Sequence, residues 1–201
     1  MRTHLHIVSL FCVIAACSPE QAANGPNGQT TAEDGTTAGQ LVAAPAIARP
    51  GRVSEYSSLG GCRLVTSKPE EAGYTNSACP GAGGFTLRLI NSDGRQNLFV
   101  KTPSGKERSL KLSEAAGSGF SRIGDRVEWR GTMDDEATFR PDAMVLRYFV
   151  VEQEGQGETA YLLPVTLTGA GPCVAGKISP GADQSERARA KVDGNMACLP
   201  H

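Results

Sequence analysis

Phe85-Thr86-Leu87-Arg88-Leu89, followed by Asn91-Ser92-Asp93-Gly94 and then Leu98-Phe99-Val100, is the stretch on which the fold turns. Phe85, Leu87 and Leu89 alternate with Thr86 and Arg88, the period of two that sends apolar side chains to one face of a strand. Asn, Asp and Gly tolerate the backbone angles of a tight reversal, so the whole stretch predicts a β-hairpin with one face buried.

The same grammar continues outward. Thr102-Pro103-Ser104-Gly105 offers a second turn, leading to a strand over 108–112. Val127 and Trp129 alternate with Glu128 and Arg130 in a half-buried strand. Over 144–151 nearly every position is apolar, which suits a central strand covered on both faces. Tyr161, Leu163, Val165 and Leu167 line one face of the next strand, and Pro164, which cannot donate to a ladder, places it at an edge or a bulge. After Pro180 the period changes. Asp183 with Glu186 three positions on resembles a capping box, and Ala188, Val192 and Met196 give a helix a narrow apolar stripe. The expected fold is mainly β, an antiparallel sandwich or barrel-like sheet over residues 51–201 with one C-terminal α-helix.

Six cysteines bear on the covalent frame. Cys12 and Cys17 lie near the N-terminus, leaving Cys62, Cys79, Cys173 and Cys198 for the folded part, an even number that implies disulfides in an exported chain. Three pairings exist. The expected one joins Cys62 to Cys79 and Cys173 to Cys198, because both loops are short and local, each worth about 3 kcal/mol in the chain-entropy account. Zinc is the rival use, but no two of the four stand at C-x2-C or C-x4-C spacing.

The first fifty residues read differently from the rest. Residues 1–16 carry Arg2 and then a short apolar core of Ile7, Val8, Leu10, Phe11, Val13 and Ile14. That core falls short of the roughly 20 apolar residues a permanent membrane span needs, so it reads as a signal peptide. Ile14-Ala15-Ala16-Cys17 resembles the lipobox of bacterial lipoproteins. The resemblance implies that the signal peptide is removed and that Cys17 becomes an acylated N-terminus, anchoring the chain to a membrane. A thiolate is nucleophilic enough for that alkylation, and at about 0.8 kcal/mol per buried methylene several acyl chains make the attachment effectively permanent. In Gram-negative lipoproteins an aspartate after the cysteine marks inner-membrane retention; here Ser18 stands there, implying the periplasmic face of the outer membrane. From Ser18 to Pro50 no aromatic residue occurs, and the Ala, Gly, Thr, Asn, Gln and Pro content predicts a flexible tether reaching about 30 Å.

What the chain does is less legible. From Gly51 onward 12 Arg and 6 Lys balance 18 acidic residues, so no basic footprint for nucleic acid exists. His4 and His6 precede the predicted cleavage site and leave His201, a terminal residue, as the only histidine. Ser-His-Asp, Cys-His and H-E-x-x-H chemistry are therefore not expected. No serine sits in G-x-S-x-G or S-x-x-K. Cys79-Pro80-Gly81-Ala82-Gly83-Gly84 opens a strand rather than a helix, so it predicts a tight turn bracing a disulfide instead of a phosphate cradle. Asp134, Asp135 and Glu136, with Asp142 nearby, depart from EF-hand spacing and read as a solvated acidic loop rather than calcium ligands. The pairs Glu70 with Glu71 and Glu152 with Glu154 cannot be placed across a cleft from sequence alone.

Arg147 interrupts an apolar strand between Leu146 and Tyr148. A charge there must be paired or must line a cleft. The expected arrangement is an ion pair, with Glu128 one partner, and the other reading is contact with an anion or ligand. The chain is expected to be a binding or interaction module needing no cofactor, with the membrane and an envelope protein or cell-wall component as its partners. An inhibitor of a hydrolase or an accessory subunit of an envelope complex would fit. The alternative is a histidine-free enzyme using carboxylates or Arg147.

Overall fold

The computed structural model describes residues 51–200. The expected signal peptide, Cys17, the expected tether and His201 lie outside the described residues.

The quoted hairpin is β4 (Thr86–Ser92) and β5 (Arg95–Lys101), paired in register from Thr86 with Lys101 to Ser92 with Arg95. Asp93 and Gly94 both take positive φ, 52° and 64°, which gives the reversal the twist that flanking strands require. The remaining strands are β1 (Val53–Ser58), β2 (Arg63–Lys68), β3 (Tyr74–Cys79), β6 (Glu107–Ser109), β7 (Ser121–Met133), β8 (Phe139–Val150), β9 (Thr159–Thr166) and β10 (Cys173–Val174). They form one sheet of order β10-β9-β8-β7-β5-β4-β3-β2, with β1 also on β7 and β6 also on β5. Its ends do not meet, so the sheet is open and not closed into a barrel. Pairing is antiparallel except for one parallel bridge, Arg95 with Ser121, where the β2–β6 half joins the β7–β10 half.

The two halves share one core. Leu87, Leu98 and Val100 from the hairpin pack with Val127, Trp129, Met144, Leu146, Tyr148 and Leu163 from the other half. Phe85 approaches Trp129 with ring centroids 6.0 Å apart, and the Trp129 indole N–H donates to Ser57 Oγ at 2.9 Å. A buried Tyr or Trp needs a partner for its polar atom, and Tyr148 meets the same requirement by donating to Ser121 Oγ at 2.7 Å.

β8 is covered on both faces, as its apolar run predicts. Met144, Leu146, Tyr148 and Val150 face the main core, while Ala143 and Val145 face a second cluster with Leu162, Ala188 and Val192. The last two belong to helix α2 (Gln184–Asp193). β9 lies between β8 and β10 rather than at an edge, and Pro164 is accommodated by a break in the pairing on its β10 side. β10 is only two residues long, the neighbouring chain leaves the ladder between Val174 and Ile178, and the Pro164 carbonyl accepts from Ala175 N at 2.8 Å.

Three local expectations need correction. The strand expected over 108–112 stops at Ser109; Lys111 turns left-handed (φ 50°) and Leu112 opens a short helix, α1 (Leu112–Ala116), whose Leu112 and Ala116 enter the core. The capping box does not form at α2: Asp183 makes no side-chain cap and pairs instead with Arg187 at 3.0 Å, one helical turn on. Met196 lies beyond the end of α2, although it still packs against the cluster beneath the helix.

Both expected disulfides are present. Cys62 joins Cys79 across 17 residues and Cys173 joins Cys198 across 25. The second ties the chain after α2 to β10, where Leu199 N also donates to the Val174 carbonyl at 2.8 Å. The Cys-Pro-Gly run is the tight turn between β3 and β4. A Cβ on Gly81 would lie 2.1 Å from the Phe85 carbonyl oxygen, and one on Gly83 (φ 54°) would lie 2.2 Å from the Pro141 ring. The turn thus packs a backbone against β8, which only glycine permits.

Candidate functional site

On the face away from the main core, the strands β1, β7 and β8 and the helix α2 enclose polar side chains in two connected parts. The first is a chain of alternating charge. Arg52, just ahead of β1, grips Asp142 with two hydrogen bonds of 2.6 Å, and its Nε donates to Asp193 Oδ1 at 3.0 Å. Arg130 also holds Asp193, through Nε at 3.2 Å and through Nη2 to Oδ2. Its Nη1 reaches Ser54 Oγ at 2.7 Å, and Ser54 donates to Glu128 at 2.8 Å. Glu128 is in turn held by Arg189 of α2 at 2.8 and 3.2 Å.

The chain is structural in its buried half. The side chains of Arg52 and Asp193 are each 4 % exposed, so neither charge could remain there alone. Asp193 closes α2 at its C-terminal end, where the helix dipole disfavours a carboxylate. Burial pushes its carboxyl up, but the hydrogen bonds from Arg130 and Arg52 outweigh that and hold it below the usual carboxylate range. The structural ion pair expected for Arg147 is absent among the described residues, and Glu128, one possible partner, is taken by Arg189 and Ser54.

The second part is a cleft of about 370 Å³ whose lining includes Arg122, Arg126, Arg147 and Arg189. Its floor exists because β7 slips register between Ile123 and Val127 and places Gly124 against β8. A Cβ on Gly124 would stand 3.1 Å from Arg147 Cβ, so glycine leaves the room in which that side chain lies. Arg147 Nη1 donates to Gln184 Oε1 at 3.2 Å. Gln184 is buried, and its amide nitrogen donates to the carbonyls of Ala160 at 2.8 Å and Ile178 at 3.0 Å. Those two acceptors fix the amide so that its oxygen faces the guanidinium.

The four arginines are not equivalent. Arg122 is paired with Glu158 at 2.6 Å and lies 3.7 Å over the Phe149 ring, and Arg189 is committed to Glu128. Arg126 lies 4.6 Å over the Tyr56 ring, and neither it nor Arg147 forms a salt bridge among the described residues. Asp125 and Glu128 are the acidic groups of the lining, with Val145, Phe149 and Leu162 as its apolar surface. Ser185, in the first turn of α2, brings the positive end of the helix dipole to the same space.

The other sequence candidates are dispersed. Asp134 accepts from the backbone N–H of Glu136 at 3.1 Å and Thr138 at 2.8 Å and from Arg140 at 2.8 Å, closing the turn between β7 and β8. Asp142, turned to Arg52, is not part of that loop's oxygen set. Glu71 pairs with Lys68, and Glu152 accepts from Tyr161 at 2.6 Å and Lys177 at 3.3 Å. Among the described residues no three His, Cys, Asp or Glu side chains converge to hold a metal ion. Sequence reasoning singled out Arg147 and missed Gly124, Gln184, Arg126, Arg189 and Tyr56. The one signal for Gly124 was a glycine beside a charged residue ahead of an alternating strand, the mark of a bulge. No known protein family, curated protein or solved structure matches the chain.

Proposed function

We propose that the chain is a lipid-anchored protein of the bacterial envelope, outer-membrane-tethered through Cys17, whose folded domain binds an anionic ligand in the arginine-lined cleft. The carrying observation is Arg147: a half-buried guanidinium in a cleft with three others, held among the described residues only by the neutral amide of Gln184. A guanidinium offers planar, paired donors suited to carboxylate or phosphate oxygens, and a ligand supplies the charge the protein leaves out. Two disulfides fit an oxidising, exported compartment, and the tether lets the domain work clear of the lipid surface.

Binding is preferred to catalysis because Glu128, one of the two carboxylates of the lining, is already committed. Glu128 accepts two guanidinium bonds and a hydroxyl bond, so its oxygens are turned to the protein and not to a substrate proton. The test is an NMR titration of the full chain in detergent with citrate and with pyrophosphate, following the Arg147 side-chain signal. Saturable shifts with either anion, with the accompanying backbone shifts at Gly124 and Gln184 abolished in Arg147→Gln, support the reading. Unchanged Arg147 signals with both anions and with the peptides described below would retire it.

A further inference from the structure

Resting on that anion-cleft reading, we propose that the ligand is an acidic peptide, with one side-chain carboxylate on Arg147 and the peptide backbone running to the open edge of β1. The mixed sign of the cleft carries the first half of the argument. Four guanidinium groups face it, but so do Asp125 and Glu128, and Arg122 and Arg189 already hold carboxylates. A polyphosphate would bring several charges against those two acids. A single carboxylate needs one uncommitted guanidinium and gets two, Arg147 and Arg126, while an adjoining apolar side chain has Val145, Phe149 and Leu162 to cover.

The topology carries the second half. β1 pairs along one edge only, with β7, and no described strand occupies its other edge. That edge presents unpaired N–H and C=O groups in the manner that binds extended peptides by strand addition. Tyr56, 48 % exposed on β1, forms the wall between the cleft and that edge. β8 and β1 flank β7 and an added strand lies one spacing beyond β1, so about 14 Å separates Arg147's strand from a peptide on that edge, a gap that about four to five extended residues span. A carboxylate in the cleft and backbone pairing on β1 are thus within reach of one short peptide, and a free phosphate could use only the first.

The experiment titrates the full chain in detergent with acetyl-Glu-Val-Thr-Glu-Val-Thr-amide, with the same peptide carrying Gln in place of Glu, and with inorganic pyrophosphate. Calorimetry gives the affinities, and amide shifts across Val53–Ser58 report the edge. The acidic peptide is expected to bind about tenfold or more tightly than its Gln counterpart, the worth of one hydrogen-bonded charge, and to shift the β1 amides. Arg147→Gln should remove that preference. Arg126→Ala, at an exposed position, should weaken it and keeps the test open if the first variant does not fold. Equal binding of both peptides, or unchanged β1 amides on binding, overturns the peptide proposal. If pyrophosphate alone moves Arg147, the ligand is a phosphate and only the anion cleft survives. If neither of these probes nor citrate moves it, both readings fall together.

Discussion

Arg52 and Asp193, 141 residues apart, meet at 3.0 Å with each side chain only 4 % exposed. One stands ahead of the first strand and the other ends the last helix, so this contact joins the two ends of the described domain. α2 has only Ala188 and Val192 as fully buried apolar residues, so this charge contact adds a second attachment to a small apolar one.

Replacing one member of a buried pair strands the rest. Asp193→Asn should cost about 3 kcal/mol at neutral pH, because Arg52 and Arg130 lose their shared counter-charge in a desolvated site. Urea unfolding followed by the single, buried Trp129 measures it. A loss within error of zero would mean that water reaches the cluster freely.

The same carboxylate sets a pH dependence. The Asp193 pKa is held below its unfolded value of about 3.9, so the stability it contributes is present above that value and is lost as pH falls through the folded pKa. Unfolding midpoints should drop as pH falls below about 4, and the drop should be shallower in Asp193→Asn. Glu107, held low by its hydrogen bonds from Arg88, adds a smaller part that persists in the variant. Parallel acid profiles for the two proteins would contradict the assignment.

The disulfide after α2 should act on the tail more than on the helix. A Cys173→Ser/Cys198→Ser double variant is expected to lose about 3 kcal/mol, and hydrogen exchange at Leu199, which donates to Val174, should accelerate strongly. Amides within α2 should lose protection only by the global amount, since Asp193 still holds the helix end. Selective fraying of α2 would show that the bond, not the charge cluster, docks it.

Glycine positions separate a packed turn from a permissive one. Gly83→Ala should destabilise by about 2 kcal/mol or more, combining a positive φ of 54° with a clash against Pro141. Gly157→Ala should be close to neutral, with nothing within 4 Å of the added carbon. Thermal melts of the two variants check the contrast. A neutral Gly83→Ala would remove the steric reading of the Cys-Pro-Gly turn.

The proposed membrane attachment is tested at Cys17. Cys17→Ser should move the chain from the membrane fraction to the soluble periplasmic fraction and abolish labelling by a fatty-acid analogue. Retention of both would refute the lipobox assignment.

Much of the fold was written in local pattern. Alternation at Phe85, Leu87 and Leu89, and the continuous apolar run over 144–151, fix which residues face inward, because side-chain direction in a strand has a period of two whatever its neighbours are. Loop length alone was enough to favour the two disulfide pairings that the structure contains. β1, β2 and β3 were not legible one by one. Their sequences are rich in Ser, Thr and Asn, and they become strands through pairing with β7 and β4 rather than through an apolar face.

The site divides the same way. Sequence determined that Arg147 is an anomaly, since a charge inside an apolar strand demands a partner or a cleft. It could not say which, because the answer depends on residues far away in the chain. Glu128 was given to Arg189, Gln184 was brought from α2 to Arg147, and Gly124 was placed opposite Arg147 by a register slip in β7. Each of these is a matter of long-range register and helix docking, settled by packing the sheet and the helix together, and composition and spacing carry no record of it.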